Sequence, residues 1–143
     1  MTFDDITSML QSQFGGSSRK VERDHWMFEV GTGRNRSQVI HLILKEYASG
    51  GQDVSRIVIM SPIGPRLKRY DCESLLRKNA ELDTGAICLE DFRNEENDLV
   101  TYLTLRASHL VRTADQEEVW EMIETVARMA DRQERDIYAR DMH

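Results

Sequence analysis

The chain has 143 residues, of which 31% are charged and 40% hydrophobic, a composition typical of one folded domain and not of a disordered segment. Its formal net charge of −6 argues against a primary role on nucleic acid, because phosphate groups are bound by clustered lysine and arginine. No apolar run reaches the roughly 20 residues of a membrane helix, and the acidic start lacks the pattern of a signal peptide. We therefore predict a single domain over residues 1–143 in the cytosol.

The first predicted element is a helix with one apolar face. Thr2 and Asp5 have the spacing of a capping box, in which each residue binds the backbone of the other. Four apolar residues then recur at helical spacing, namely Phe3, Ile6, Leu10 and Phe14. The run Gly15-Gly16-Ser17-Ser18 ends the helix, because glycine adopts the conformations that close helices and serine favours turns.

Three strands are predicted next, over residues 25–31, 38–47 and 55–61. Each run is rich in β-branched and aromatic residues and is bounded by glycine or proline. In the first run Trp26, Phe28 and Val30 share one face, and Met27 and Glu29 share the other. The short polar connections predict an antiparallel meander.

The second half of the chain predicts a helix, a hairpin and a long final helix. Asp71 has the position of an N-cap for the middle helix, and residues 85–92 and 99–107 form the two strands of the hairpin. Thr113 and Gln116 have capping-box spacing before the last helix, which turns charged after Ala130 and is expected to fray there. The predicted fold is α+β with the order α-βββ-α-ββ-α, an antiparallel sheet with helices packed on it.

No catalytic arrangement is recognisable, so we predict a protein that is not an enzyme and carries no cofactor. The histidines, at positions 25, 41, 109 and 143, lack the spacing of a metal motif, and a metal site would require them to converge in space. His41 and His109 are interpreted as half-buried polar contacts. Cys72 and Cys88 form no CxxC motif and are interpreted as reduced, half-buried thiols.

A basic loop follows the third strand, where Arg66, Lys68 and Arg69 come shortly after two prolines. Such a cluster can bind an anion, but it lacks a phosphate-binding loop pattern, and a solvated loop is the favoured interpretation.

The chain has more methionine and aromatic side chains than two helices are expected to cover. Side chains of these types suit surfaces that adapt to varied partners. The predicted partner-binding residues are Trp26, Met27, Phe28, Met60, Tyr102, Trp120 and Met122.

Five features follow one another along the chain: the segment "IVIMSPIG", a charged spacer, the segment "LLRKNAELDTGAICLED", a leucine-rich strand and an amphipathic helix. Together they resemble a bacterial superfamily. It comprises the class I type III secretion chaperones and YbjN-like proteins. The resemblance covers nearly the whole chain in element order and is most specific from Ile57 to Leu105. It implies a small acidic homodimer that holds an extended segment of a client protein without ATP.

Carried to this sequence, the resemblance assigns roles to the middle helix and the strand after it. The residues that match the characteristic second helix and its exit are Leu75, Leu76, Asn79, Ala80 and Leu82. Asn79 is positioned there to satisfy backbone groups near the helix end. Gly85, Ala86 and Leu89 match the strand, with Gly85 permitting close backbone approach. The dimer interface that the resemblance implies includes Leu76, Ile87 and Leu89.

The leading hypothesis is therefore a non-enzymatic, chaperone-like module that binds an extended or amphipathic segment of a partner protein as a homodimer. Two alternatives stay open. One is a YbjN-like regulatory subunit of a sensory or stress response, which binds a folded regulator. The other is a small ligand-binding protein or enzyme that uses the basic loop 66–69 with His41 or His109.

Overall fold

The computed structural model of the chain describes residues 1–68 and 71–138, so Arg69 of the basic loop and His143 lie outside the described residues. Within those ranges the chain forms three helices and six strands. In chain order they are α1 (Phe3–Phe14), β1 (Arg19–Glu22), β2 (His25–Gly33), β3 (Arg36–Ser49), β4 (Gln52–Pro65), α2 (Cys72–Asn79), β5 (Ala86–Arg93), β6 (Leu99–Leu110) and α3 (Gln116–Tyr138).

The strands form one antiparallel sheet in the order β1-β2-β3-β4-β6-β5, which confirms the predicted α+β class. The predicted number of five strands was wrong, because β1 adds a sixth at one edge. All four residues of β1 are exposed, and Val21 is its only apolar residue. A strand with no buried face has no alternating apolar pattern, which is why the sequence analysis missed it.

The helices α1 and α3 cover one face of the sheet, and the hydrophobic core lies between the sheet and these two helices. Alternate residues of the strands face this layer, as predicted for Trp26, Phe28 and Val30. The fully buried members of the core include Ile6, Leu10, Phe28, Ile40, Leu42, Ile57, Ile59, Leu103, Leu105, Val119 and Ile123. Since each buried aliphatic or aromatic side chain stabilises by about 1.5–3 kcal/mol, this layer supplies most of the folding free energy.

The helix caps at Thr2 and Asp71 are confirmed. The Thr2 hydroxyl accepts from the Asp5 N–H at 3.1 Å, and Asp71 accepts from the Ser74 N–H at 2.7 Å. The predicted cap of α3 was wrong by two residues. Asp115 accepts from the Glu118 N–H at 2.8 Å, while the Glu118 carboxylate accepts from the Asp115 N–H at 3.2 Å. This pair also places two carboxylates at the positive end of the helix dipole.

The end of α3 docks on the sheet and does not fray before Tyr138. Ile137 is fully buried, and the Tyr138 hydroxyl donates to the Pro65 carbonyl at 2.6 Å. A Cβ atom at Gly64 would lie 2.6 Å from the Tyr138 ring, so glycine is required there for the contact. The charged composition after Ala130 gave no sign that the last turn of α3 is anchored. One buried isoleucine and one hydrogen-bonded tyrosine are enough to anchor it.

A buried carboxylate joins α3 to β3. The side chain of Asp131 is only 4% exposed, and it accepts from Arg36 Nε at 2.8 Å and lies 3.4 Å from Arg135 Nη2. Burial alone would raise the pKa of Asp131, but the hydrogen bond and charge of Arg36, together with the charge of Arg135, hold the pKa below its usual value.

The opposite face of the sheet carries no helix within the described residues. Yet Met60 on this face is only 3% exposed and Thr104 is fully buried. The sheet is curled, and the Thr104 hydroxyl donates to the Glu90 carboxylate of the neighbouring strand at 3.2 Å. We refer to this side as the open face. None of the helices in the described part of the chain combines the length and apolar character needed to cross a membrane.

Replacing Asp131 by asparagine is expected to lower the free energy of unfolding at pH 7 by about 1.5–3 kcal/mol, because the charge-assisted bond from Arg36 is lost. The folded-state pKa of Asp131 is depressed, so its stabilisation is present above the unfolded-state value near 4 and disappears as the pH falls below it. Urea denaturation at several pH values measures both effects. Glu124→Gln on the exposed side of α3 is the control and should change little. Equal stability of Asp131→Asn and the parent chain at pH 7 would contradict this assignment.

Candidate functional site

The outer edge of β5 is the first candidate site, and Asn79 closes part of it. Its side-chain oxygen accepts from the Ile87 N–H at 2.6 Å, and its side-chain nitrogen donates to the Ile87 carbonyl at 3.4 Å. The amide thus replaces a neighbouring strand at this residue. The sequence analysis placed Asn79 at the helix exit with backbone groups to satisfy, but those groups belong to β5 and not to the helix itself.

The Asn79 contact also shows which backbone groups of β5 point away from β6. Successive residues of an edge strand direct their N–H and C=O groups alternately towards the neighbour and outward. Since Ile87 points outward, Leu89 and Asp91 also point outward. No strand within residues 1–68 and 71–138 pairs with them, because β5 has β6 as its only strand partner there. Two residues of open strand edge therefore lie beside the Asn79 clamp.

Exposed leucines flank this edge. Leu76 on α2 is 67% exposed and Leu89 on β5 is 42% exposed, whereas Ile87 is only 8% exposed. Together with Cys72 they line a shallow cleft of about 220 Å³ between α2 and β5. The three residues predicted for a dimer interface therefore lie side by side, with Ile87 forming the floor. We call this the α2–β5 edge.

The start of β5 depends on a glycine. Gly85 has a φ of +72°, and a Cβ atom there would lie 2.7 Å from the carbonyl oxygen of Arg106. The predicted close approach of the backbone at Gly85 is present, and it lets β5 turn tightly into the ladder with β6.

The cysteines differ in their surroundings. Cys72 is exposed at the start of α2, so its interpretation as half-buried was wrong, while Cys88 is half-buried as expected. Burial and the nearby Glu90 carboxylate raise the pKa of the Cys88 thiol. That thiol is therefore a poor nucleophile at neutral pH.

The seven predicted partner-binding residues do not form one surface. Trp26, Phe28, Trp120 and Met122 lie on the helix-covered side, where Phe28 and Met122 are buried core residues. Phe14 stacks on Trp120 at 5.4 Å between ring centroids and contacts Phe28 at 5.9 Å, which accounts for much of this aromatic material. Burial withdraws Phe28 and Met122 from any partner surface, and it also withdraws Met60, which is only 3% exposed.

Met27, Met60 and Tyr102 lie on the open face, where a groove of about 350 Å³ is present. Its walls include His41, Pro62, Arg93 and the aromatic pair Phe92 and Tyr102, whose rings meet edge to face at 5.9 Å. Next to Tyr102, Glu90 accepts from Thr104 at 3.2 Å and pairs with Arg106 at 3.3 Å. The groove therefore has aromatic walls and a satisfied ion pair close by.

His25 and His41 meet on the open face, which the sequence analysis did not foresee. His25 Nε2 and His41 Nδ1 are 2.7 Å apart, a hydrogen bond between the two rings. Burial, the charge on His25 and the charge of Arg19 lower the pKa of His41 to about 4. Burial also lowers the pKa of His25. Both imidazoles are consequently neutral at physiological pH.

The remaining predicted groups are dispersed. Arg66 donates its backbone N–H to Thr101, and Arg69 lies outside the described residues. His109 is half-buried and its Nδ1 lies 2.8 Å from the Leu110 carbonyl oxygen, close to the predicted polar contact. Within residues 1–68 and 71–138, no three side chains of the types His, Cys, Asp or Glu come close enough together to hold a metal ion.

No protein-family model matches the chain, and no curated protein matches it significantly.

Replacing Asn79 by alanine is expected to lower the free energy of unfolding by about 1–3 kcal/mol, because the half-buried N–H and C=O of Ile87 lose their partner. Urea denaturation measures this change. Glu81→Ala, at an exposed position just after α2, is the control and should stay within about 0.5 kcal/mol of the parent. If Asn79→Ala is as stable as Glu81→Ala, the clamp does not hold α2 to the sheet.

Proposed function

We propose that the chain is a non-enzymatic, cytosolic protein-binding module that acts as a homodimer and binds an extended segment of a partner protein. The observation that carries the proposal is the α2–β5 edge. There, open backbone groups of Leu89 and Asp91 lie beside the exposed side chains of Leu76 and Leu89. This combination of hydrogen-bonding edge and apolar rim is what strand addition by another polypeptide requires.

The second copy of the chain is the occupant proposed for this edge, in agreement with the secretion-chaperone and YbjN-like resemblance. Leu76 and Leu89 are the side chains that a partner would bury, and Asn79 limits strand pairing to the residues beyond Ile87. A dimer formed here leaves the open face free in each subunit, because α2 packs on the helix-covered side of the sheet through Leu75.

The partner segment is proposed to bind in the groove of the open face. Phe92 and Tyr102 supply aromatic contacts, and Arg93 and Asn94 supply polar groups at its rim. Its volume of about 350 Å³ accommodates a few side chains of an extended segment and not a folded domain. This size favours the chaperone-like hypothesis over the regulatory subunit that binds a folded protein.

Replacing Leu76 by aspartate is expected to convert a dimer into a monomer, because the contact would have to bury a carboxylate. Leu76 is 67% exposed in the single chain, so folding should be preserved. Sedimentation velocity over a concentration series measures the change. Val21→Asp is the matched control, because Val21 is 42% exposed on the opposite edge strand.

Hydrogen exchange tests the same contact at single residues. The amides of Leu89 and Asp91 should become protected as the concentration rises, whereas exposed amides of β1 should not. A parent chain that stays monomeric at high micromolar concentration would rule out the proposed dimer. Dissociation by Val21→Asp but not by Leu76→Asp would place the interface on the other edge.

Replacing Tyr102 by serine is expected to reduce partner binding several-fold, because aromatic anchors carry much of the energy of an interface. Affinity capture from the native cytosol under gentle conditions, followed by mass spectrometry and limited proteolysis of the captured protein, measures this loss. Tyr47→Ser is the control, since Tyr47 is an exposed tyrosine outside the groove. Equal capture by the two variants, or none by the parent chain, would count against the groove as the binding site.

A further inference from the structure

Four side chains with nitrogen or sulfur donor atoms lie together on the open face. The strand register places Met27 of β2 directly opposite His41 of β3, and His41 directly opposite Met60 of β4. His25 lies two residues before Met27 on the same face of β2, and its ring is hydrogen-bonded to that of His41. The four residues come from three adjacent strands, and we call them the His–Met row.

The two imidazoles of the row are close enough to share a ligand, and the strand register places both methionines beside them. The two imidazole nitrogens are 2.7 Å apart and the ring centroids 5.0 Å apart. Directly opposed residues of antiparallel strands have Cβ atoms about 4.5–5.5 Å apart, so both methionines flank His41 within reach of their flexible thioether chains. The half-buried His25 ring has to turn away from His41 for an ion to enter between the two nitrogens.

The hydrogen bond between the two rings suits metal binding. In that bond, 2.7 Å long, one ring nitrogen accepts and so carries no proton, which is the form of imidazole that binds a metal. An ion between the two nitrogens would take the place of the shared proton. The ring that donates this proton can carry it on its other nitrogen, so binding requires no net release of a proton.

We propose that the His–Met row binds a soft monovalent metal ion, Cu(I), through His25, His41, Met27 and Met60. Thioether sulfur selects soft ions such as Cu(I), whereas Zn²⁺ is held by thiolate, imidazole and carboxylate. The row itself contains neither a thiolate nor a carboxylate. Met60 is only 3% exposed, so its sulfur lies at the dry floor of the row.

The charges around the row favour a monovalent ion over a divalent one. The Arg19 guanidinium donates to the Met27 sulfur at 3.3 Å, and its positive charge also acts on His41. Glu22 acts on His25 and offsets part of that charge, while Arg106, directly opposite Met60, is paired with Glu90. Thioether sulfur has a second lone pair, so the Arg19 contact leaves one donor orbital for the metal. This site is separate from the α2–β5 edge, and it borders the groove through His41, which provides an entry path.

Anaerobic titration with Cu(I), in competition with the chromogenic chelator bicinchoninate, tests the proposal. The chain used is the double variant Cys72→Ser and Cys88→Ser, because thiols also bind Cu(I) and would mask the row. We expect this chain to withdraw one equivalent of Cu(I) from the chelator. It should do so more strongly than it takes up Zn²⁺ measured by a parallel competition.

Two conservative variants in that background identify the ligands. His25→Gln and Met60→Leu are each expected to weaken Cu(I) binding by at least about tenfold, because each removes one donor at nearly constant volume. Met129→Leu is the matched control, since Met129 packs against the helix-covered core and not on the open face. X-ray absorption of the loaded chain should show both nitrogen and sulfur around copper. Near-UV circular dichroism confirms that each variant is folded.

Loss of all Cu(I) uptake in the cysteine-free chain would overturn the proposal, as would a preference for Zn²⁺. If Met60→Leu, Met129→Leu and the parent bind Cu(I) with equal affinity, the Met60 thioether is not a ligand. An X-ray absorption spectrum that shows nitrogen but no sulfur around copper would also contradict the proposal. If His25→Gln does not fold, Met60→Leu and the X-ray absorption spectrum still test the proposal. Dimerisation is measured independently by sedimentation, so failure of the metal site leaves the protein-binding proposal standing.

Discussion

The alternation of side chains along four central strands is the constraint on which the rest of the structure depends. Burial of Phe28, Ile40, Ile59 and Leu105 beneath α1 and α3 fixes the register of the sheet, because a shift by one residue would turn these side chains to the other face. The same register then dictates what the open face presents. Met27, His41, Met60 and Arg106 stand in one line across the strands as a consequence of packing on the far side.

Much of this framework could be predicted from residue patterns. The apolar alternation of residues 25–31 and the continuous apolar run within residues 55–61 located strands, and the Thr2 and Asp71 caps located helix starts, because these signals are local. The strand β1 and the docking of Tyr138 escaped prediction for two different reasons. All four residues of β1 are exposed, so the strand has no alternating apolar pattern, whereas the last turn of α3 is held by Pro65, which is distant in sequence.

The candidate sites show the same division. Leu76, Ile87 and Leu89 were assigned by resemblance to known sequences, and the structure brings them together at one edge. His25 and His41 meet because β2 pairs with β3. The spacing of the histidines in the sequence does not predict this contact. An apolar residue on the solvent side and one on the core side look alike in sequence, which is why Phe28 and Met122 were assigned to a surface.

The two edges of the sheet are protected by different means, and this asymmetry bears on where another chain can add. The β1 edge is short and charged, with Arg19, Lys20 and Glu22 exposed and the Lys20 ammonium 5.9 Å from the Trp26 ring. Short charged strands of this kind disfavour edge-to-edge association. The β5 edge has eight residues, and among the contacts of residues 1–68 and 71–138 only Ile87 is closed, by Asn79. A side-chain clamp at one residue stops pairing from extending into the start of β5, but it leaves the following residues available. An edge that is limited in register and not blocked is therefore better suited to one defined partner strand than to indiscriminate aggregation.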